Sequence, residues 1–301
     1  MGDHSASGED EGRIHRAPSD DGTVIAGRVV GDGPPLVFFH GGLTDGDLAW
    51  ERMLDHVADR FTCYLPSMRG MGLSEDHDDQ RPERHMEDLA TFVDSIGEPV
   101  GLIGHSTGAY YGFGAIQRDA NVIAMAAYEP AVFEFWEEGD DAERFYEAVV
   151  GMGEAVADGR LADGARSFLS AVSNDRELSQ MDSHGVFEEV GPYVPKLLDV
   201  LDQAAETEAP NPNDPTQLAH VTVPVLLCYG AETTTAHTDS VYYLDEQLPD
   251  SRVHEIPDVG HMAPEIEPGA LANRIDSFFA DEFGLDGDRI ESEADVTEMQ
   301  R

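Results

Sequence analysis

Ser106 stands between two glycines in Gly104-His105-Ser106-Thr107-Gly108, after the apolar run Val100-Gly101-Leu102-Ile103 and before the small residues Gly108, Ala109, Gly112, Gly114 and Ala115. The run reads as a short buried strand and the small-residue stretch as a closely packed helix. The serine then sits on a sharp strand-to-helix turn that lifts its hydroxyl clear of the backbone. A serine hydroxyl is a poor nucleophile until a base takes its proton. His261, after Gly260 in "IPDVGHMAPEIEP", follows the last strand-like run and is placed to be that base. His40-Gly41-Gly42 closes another apolar run, where glycine lets backbone N–H groups face a ligand. A nucleophile, a base and N–H donors together serve acyl transfer. Each feature alone has a plainer explanation, a tight turn for Ser106 and a loop histidine among twelve for His261. Their order along the chain is what favours chemistry.

Those residues need a scaffold that delivers them to one place. Short apolar runs recur at 36–40, 62–66, 100–105, 122–129, 223–230 and 252–257, and "DGTVIAGRVVG" (21–31) reads as an earlier antiparallel pair. Helical patterns fill most later intervals, including 86–96 and 269–283. The alternation predicts an α/β fold with a mostly parallel, doubly wound central sheet. The interval from Ala131 to about Ala219 has no strand-like run but many aromatics, among them Phe133, Phe135, Trp136, Phe145, Tyr146, Phe168, Phe187 and Tyr193. A structureless loop of that length is implausible, so the interval predicts an inserted helical cap. The expected organisation is a core of residues 21–130 and 220–285, a cap of 131–219, and mobile acidic tails at 1–20 and 286–301.

The chain of 301 residues carries 61 acidic and 18 basic side chains, a formal charge of −43, and Lys196 is the one lysine. Such a surface repels nucleic acid and anionic membranes, leaving a small molecule as the expected partner. The acid is spread along the whole chain, a composition like that of proteins from salt-loving cells, where concentrated salt shortens the range of self-repulsion. No apolar run reaches membrane-spanning length, and "MGDHSASGEDEGR" lacks the apolar segment of a secretory signal; both point to the cytoplasm. Cys63 and Cys228 lie in strand-like runs and are expected to be buried and reduced. No histidine pair has the spacing of a zinc helix, and "RGMGLS" lacks the third glycine of a dinucleotide site. No cofactor and no metal are expected, and oligomeric state is left open.

The motifs His40-Gly41-Gly42, Arg69–Ser74 ("RGMGLS"), Gly104–Gly108 and Gly260-His261 occur in the order found in α/β-hydrolases. Over residues 24–283 the chain resembles that superfamily, in the branch of serine esterases and haloalkane dehalogenase-like proteins with a helical cap. The resemblance implies an acyl-enzyme on Ser106, with His261 as base and then acid. It implies an oxyanion site of the Gly42 and Thr107 backbone N–H groups, with Leu43 an alternative to Gly42. In many relatives the third member, an acid, lies three residues past the glycine of the strand here ending at Gly230. That position is Thr233. In dehalogenase-like relatives the acid instead ends the preceding strand, which here is Glu129, 23 residues after Ser106. Glu129 is therefore the first candidate, Glu232 the second, and Asp239 or Asp245 follow. His40 and His105 are expected to fix their turns by hydrogen bonds.

Serine at residue 106 argues against dehalogenase or epoxide-hydrolase chemistry, which uses aspartate there. The expected activity is hydrolysis of carboxylic esters, or of lactones or thioesters, of small apolar molecules. The competing reading is a receptor or sensor on the same fold with little or no turnover, supported only by the missing acid at Thr233.

Overall fold

A computed structural model describes residues 13–136 and 139–285. Its centre is an eight-stranded sheet: β1 (Arg13–Pro18), β2 (Val24–Val30), β3 (Pro35–Phe39), β4 (Thr62–Pro66), β5 (Val100–His105), β6 (Val122–Tyr128), β7 (Val225–Gly230) and β8 (Ser251–Ile256), in spatial order 1-2-4-3-5-6-7-8. β1 and β2 run antiparallel at one edge, and β3 to β8 are parallel. The central strands β3, β5 and β7 are buried along their whole length. That is why they read as unbroken apolar runs rather than alternating ones.

Helices α1 (Gly46–Val57), α2 (Pro82–Ser95) and α3 (Thr107–Ile116) follow β3, β4 and β5. Between β6 and β7 lie α4 (Asp140–Ala157), α5 (Leu161–Val172), α6 (Asp175–His184), α7 (Val186–Val190), α8 (Val194–Glu206) and the short α9 (Pro215–Leu218). After β7 come α10 (Thr235–Gln247), α11 (Ala263–Ile266) and α12 (Gly269–Glu282). Apolar side chains of α2, α3 and α10 pack on one face of the sheet, and those of α1 and α12 on the other. The helical segment has its own apolar centre, with Met152, Leu169, Phe187 and Leu197, which also takes in Leu43 and Met262 from the sheet domain. Lys196 on α8 bonds Asp76 across this seam at 2.6 Å, and Tyr193 donates to Asp45 Oδ2 at 2.7 Å.

The amino-terminal edge differs from the sequence reading. Residues 21–31 form one strand, β2, and its antiparallel partner β1 lies within the stretch 1–20 expected to be a tail. Gly27 sits mid-strand where the β4 backbone crosses, and a Cβ there would lie 2.5 Å from Leu65 C. β1 hides because its six residues are mostly exposed. It is held by pairing from Arg13–Val29 to Pro18–Val24 rather than by an apolar face. The remaining expected tails, 1–12 and 286–301, fall outside the described residues.

Arg69 of the "RGMGLS" turn is fully buried. Its guanidinium makes two bonds of 2.7 Å to the Asp88 carboxylate and one of 3.0 Å to Asp21, tying this turn to α2. Cys63 and Cys228 are free and buried, and burial pushes both thiols up to about 12. Among the described residues no helix is long and apolar enough to cross a membrane.

Candidate active site

The parallel strands end in register, with His105 beside Tyr128, Tyr128 beside Cys228, and Gly230 beside Ile256. Their carboxyl ends therefore deliver loops to one rim of the sheet, where ligands of such sheets bind. Ser106 leaves β5, Glu129 leaves β6, Thr233 follows β7 and His261 follows β8.

The turn at Ser106 is forced. Its backbone has φ 54° and ψ −122°, a left-handed conformation that costs a non-glycine residue about 1–3 kcal/mol. It exists because β5 must pass directly into α3. A Cβ on Gly104 would lie 2.5 Å from Ala109 Cα, and one on Gly108 2.3 Å from the His40 and Phe39 carbonyl oxygens. Only glycine fits on either side of the serine. Leu43 (φ 61°) and Glu129 (φ 43°) are also in positive φ, so strain gathers on this rim.

His40 is fully buried and fastens the glycine turn. Its Nδ1 donates to Gly41 O at 2.8 Å, which leaves Nε2 to accept from the Met68 N–H at 2.9 Å. Burial holds this ring neutral, down to about 4. Gly41 presses on the serine, since a Cβ there would lie 3.2 Å from Ser106 Cβ, and one on Gly42 would lie 3.9 Å from Thr107 Oγ1. His105 behaves otherwise than expected. Neither ring nitrogen has a hydrogen bond, with Glu265 Oε1 at 3.6 Å from Nδ1. Its ring packs against Trp50, Tyr128 and His261. Burial pulls its pKa down, but the Glu265 and Glu129 carboxylates and the His261 backbone together outweigh burial and the net direction is up.

His261 Nδ1 lies 2.7 Å from Glu129 Oε2. Glu129 is fully buried and accepts two further bonds of 2.8 Å, from the Gly230 N–H to Oε1 and from Thr233 Oγ1 to Oε2. Thr233, the residue at the position where many relatives carry an acid, thus donates to the acid on the neighbouring strand. Glu232 is turned outward, 45% exposed, towards Arg176 at 3.4 Å. Asp245 accepts from Ser251 Oγ at 2.7 Å. Neither Glu232, Asp239 nor Asp245 has a hydrogen bond to His261.

The histidine loop is held from three sides. Tyr128 Oη donates to Gly260 O at 2.5 Å. The Met262 N–H donates to Glu177 Oε1 at 2.8 Å, and Arg176 donates to Asp258 O. Both residues lie in the first turn of α6, where Asn174 and Glu177 form a reciprocal cap. Burial raises Glu177 to about 7, opposed by the N–H groups of Asn174 and Met262. Burial, with His105 beside it, holds His261 well below its ordinary value. On its other face His237 stacks at a ring distance of 4.1 Å, tilted by 14°. Sequence reasoning missed Glu177 and His237, whose neighbours come from far along the chain.

Ser106 and His261 line one cavity of about 260 Å³, with Gly42, Leu43, Phe168 and Met262. Ser106, Thr107 and Gly42 also border a narrower pocket of about 40 Å³, walled by Phe133, Trp136 and Phe145. Of the aromatics noted in the sequence, Phe187 is buried elsewhere in the helical segment and Tyr146 is exposed. Glu129, His237 and His261 each turn a ligating atom to within 4.8 Å of the others. Those atoms are engaged with one another and with Thr233 and Thr234, so a metal would have to displace these bonds. Ser106 and His261 thus face one cavity beside the Gly42 turn, with His261 Nδ1 turned to Glu129.

Residues 36–274 match the model of the alpha/beta hydrolase family. Among curated proteins, a cis-3-alkyl-4-alkyloxetan-2-one decarboxylase of Xanthomonas campestris is 31% identical over 114 residues, covering 34% of this chain and 38% of that protein. A 2-(acetamidomethylene)succinate hydrolase of Mesorhizobium japonicum is 33% identical over 90 residues, covering 27% of this chain and 30% of that protein. The match thus spans about a third of the length of these curated relatives. An alpha/beta hydrolase from Sphaerobacter thermophilus shares the fold with a TM-score of 0.70 and 24% identity, over 88% of this chain and 100% of that one.

Proposed function

The chain belongs to the alpha/beta hydrolase family, and on that footing we propose that it is a serine hydrolase of carboxylic esters, lactones or thioesters of small apolar molecules. The observation that carries this is the 2.7 Å contact of His261 Nδ1 with the buried Glu129 carboxylate, beside a cavity that His261 shares with Ser106.

In this reading the Glu129 carboxylate accepts a hydrogen bond from Nδ1–H of His261, which keeps that proton on Nδ1 and leaves Nε2 as the free base. Ser106 Oγ attacks the ester carbonyl carbon while Nε2 takes the hydroxyl proton. The carbonyl oxygen gathers charge and is met by the backbone N–H groups of Thr107 and Gly42. A single such donor is worth roughly 3 kcal/mol in barrier. The carbon–oxygen bond to the alcohol then breaks, and His261 returns the proton to the departing oxygen. Water repeats the sequence on the acyl-serine and releases the acid. The buried Glu129 carboxylate beside His261 can supply the charge that Thr233 lacks, which supports turnover over the receptor reading.

A fluorophosphonate probe tests the reading directly. It should label wild-type protein at Ser106, located by peptide mass, and fail to label Ser106→Ala or His261→Ala. An unlabelled wild type that is also inert towards short p-nitrophenyl esters would overturn the proposal.

A further inference from the structure

The narrow pocket beside Ser106 carries two polar side chains with no part in the steps above, the Thr107 hydroxyl near the serine and His237. His237 lines it among Ala131, Phe133, Phe145, Leu197 and Leu201, with the Trp136 ring edge-on at 4.9 Å. His261 borders the wider cavity and does not line this pocket. Because His261 must reach the departing oxygen, the alcohol leaves on the wide side and the acyl group occupies the narrow one. Its volume of about 40 Å³ has room for roughly three or four heavy atoms.

The proton positions at His237 follow from its partners. Thr233 Oγ1 lies 2.8 Å from Glu129 Oε2, and a carboxylate only accepts, so the threonine proton points there. Thr233 Oγ1 also lies 3.1 Å from His237 Nδ1. With its one proton spent, that oxygen can only accept from the ring. His237 Nδ1 therefore carries the hydrogen, shared with Thr234 Oγ1 at 3.0 Å and facing Glu129 Oε2 at 3.4 Å. The groups packed around the ring bear this out. His261 stacks on it, and burial with His261 beside it holds the ring neutral. A neutral ring protonated on Nδ1 presents Nε2 as a bare acceptor. No hydrogen bond reaches Nε2 among the described residues, while Nδ1 is turned to Thr233 and Thr234 and the residue lines the pocket.

Resting on the serine-hydrolase reading, we propose that His237 selects substrates whose short acyl group carries an O–H or N–H donor, as in esters of hydroxy acids or N-acylamino acids. Plain alkanoates fill the same pocket but leave Nε2 without a partner, which disfavours them.

The test compares p-nitrophenyl butyrate with the 2-hydroxybutyrate, 3-hydroxybutyrate and N-formylglycinate esters, each rate corrected for alkaline hydrolysis of the same ester. Wild type is expected to favour at least one donor-bearing ester in kcat/KM by about 10-fold, and His237→Phe to bring that ratio to about one. The hydroxy and acylamino arms tell the two donor classes apart. Nitrogen-15 spectra of the histidine rings in unliganded wild type give a second readout that needs no variant to fold. Nε2 of His237 should report as unprotonated. Turnover of butyrate with no preference for any donor-bearing ester, or a protonated Nε2, overturns this proposal and leaves the hydrolase reading standing. No turnover of any ester together with an unlabelled Ser106 overturns both.

Discussion

Replacing Glu129 by glutamine changes one atom of a buried carboxylate, and the structure sets what that does. Glu129 accepts from three donors, the Gly230 N–H, the Thr233 hydroxyl and the His261 Nδ1 side, at 2.8, 2.8 and 2.7 Å. Glutamine offers one acceptor oxygen and one amide nitrogen. If the oxygen stays opposite Gly230, the amide faces Thr233 and His261. Nδ1 of His261 must then accept, which moves its proton to Nε2 and removes the base from Ser106. If the oxygen faces His261 instead, the amide meets the Gly230 N–H, donor against donor. The first arrangement avoids that clash and inverts the tautomer. An acid-to-amide swap of this kind in a serine–histidine–acid site costs about 10⁴ in kcat, or about 5.5 kcal/mol of barrier at 1.36 kcal/mol per decade. The assay is hydrolysis of p-nitrophenyl esters in multimolar KCl by wild type, Glu129→Gln and Glu232→Gln, with circular dichroism to check that each folds. Glu232, outward and paired with Arg176, should be within about twofold of wild type, since an exposed ion pair is worth little. A folded Glu129→Gln that loses less than about 10², or a Glu232→Gln that loses as much, refutes the assignment of the acid.

Arg69→Met should lower stability by about 3–5 kcal/mol, because it leaves the Asp88 carboxylate buried without its partner; denaturant melts measure this, and Arg69→Met with Asp88→Leu should recover most of it. Acid should destabilise the fold between about pH 6.5 and pH 4. His40 is held down to about 4, His85 and His237 to about 3, and His261 well below its usual value, so the unfolded chain binds more protons in that window and stability falls as pH drops. Glu177, raised to about 7, acts the other way in this window, while the raised His105 adds its stability as pH falls towards 6.5 and no slope below it; melting temperatures that stay flat or rise from pH 6.5 to 4 would contradict the balance. Salt should stabilise the protein, given its formal charge of −43, as the screening length falls from about 10 Å at 0.1 M to 3 Å at 1 M. A melting temperature that does not climb between 0.1 and 2 M KCl would argue against self-repulsion as the limiting term.

The sequence made the rim of the sheet readable where the constraint is local. Gly104 and Gly108 mark the serine turn because no Cβ fits beside Ala109 or under the His40 carbonyl, and Glu129 stood out by ending a strand one crossover from Ser106. Where a residue's meaning depends on a distant backbone, the reading failed. Residues 21–31 read as an antiparallel pair because nothing nearby in sequence tells that the partner strand is β1 or that Leu65 lies against Gly27. β1 passed for a tail because edge pairing leaves no apolar signature. Thr233 looked like a gap in the chemistry, and its bond to Glu129 spans 104 residues. Glu177 and His237 lay unmarked for the same reason, one reaching the His261 loop from α6 and the other stacking on His261 from α10.

Lys196 reaches from α8 to Asp76, and a Cβ on Gly70 would touch its Cε at 2.8 Å. As the one lysine in the sequence, it is also the one side-chain amine available to acylating reagents. Its nitrogen is one of several ties between the helical segment and the sheet domain, beside Tyr193 to Asp45 and Gln203 to Asp78. A single amine so placed turns the protein into its own gauge. The rate at which it is acylated follows how often the Lys196–Asp76 pair opens, without any label having to be engineered in.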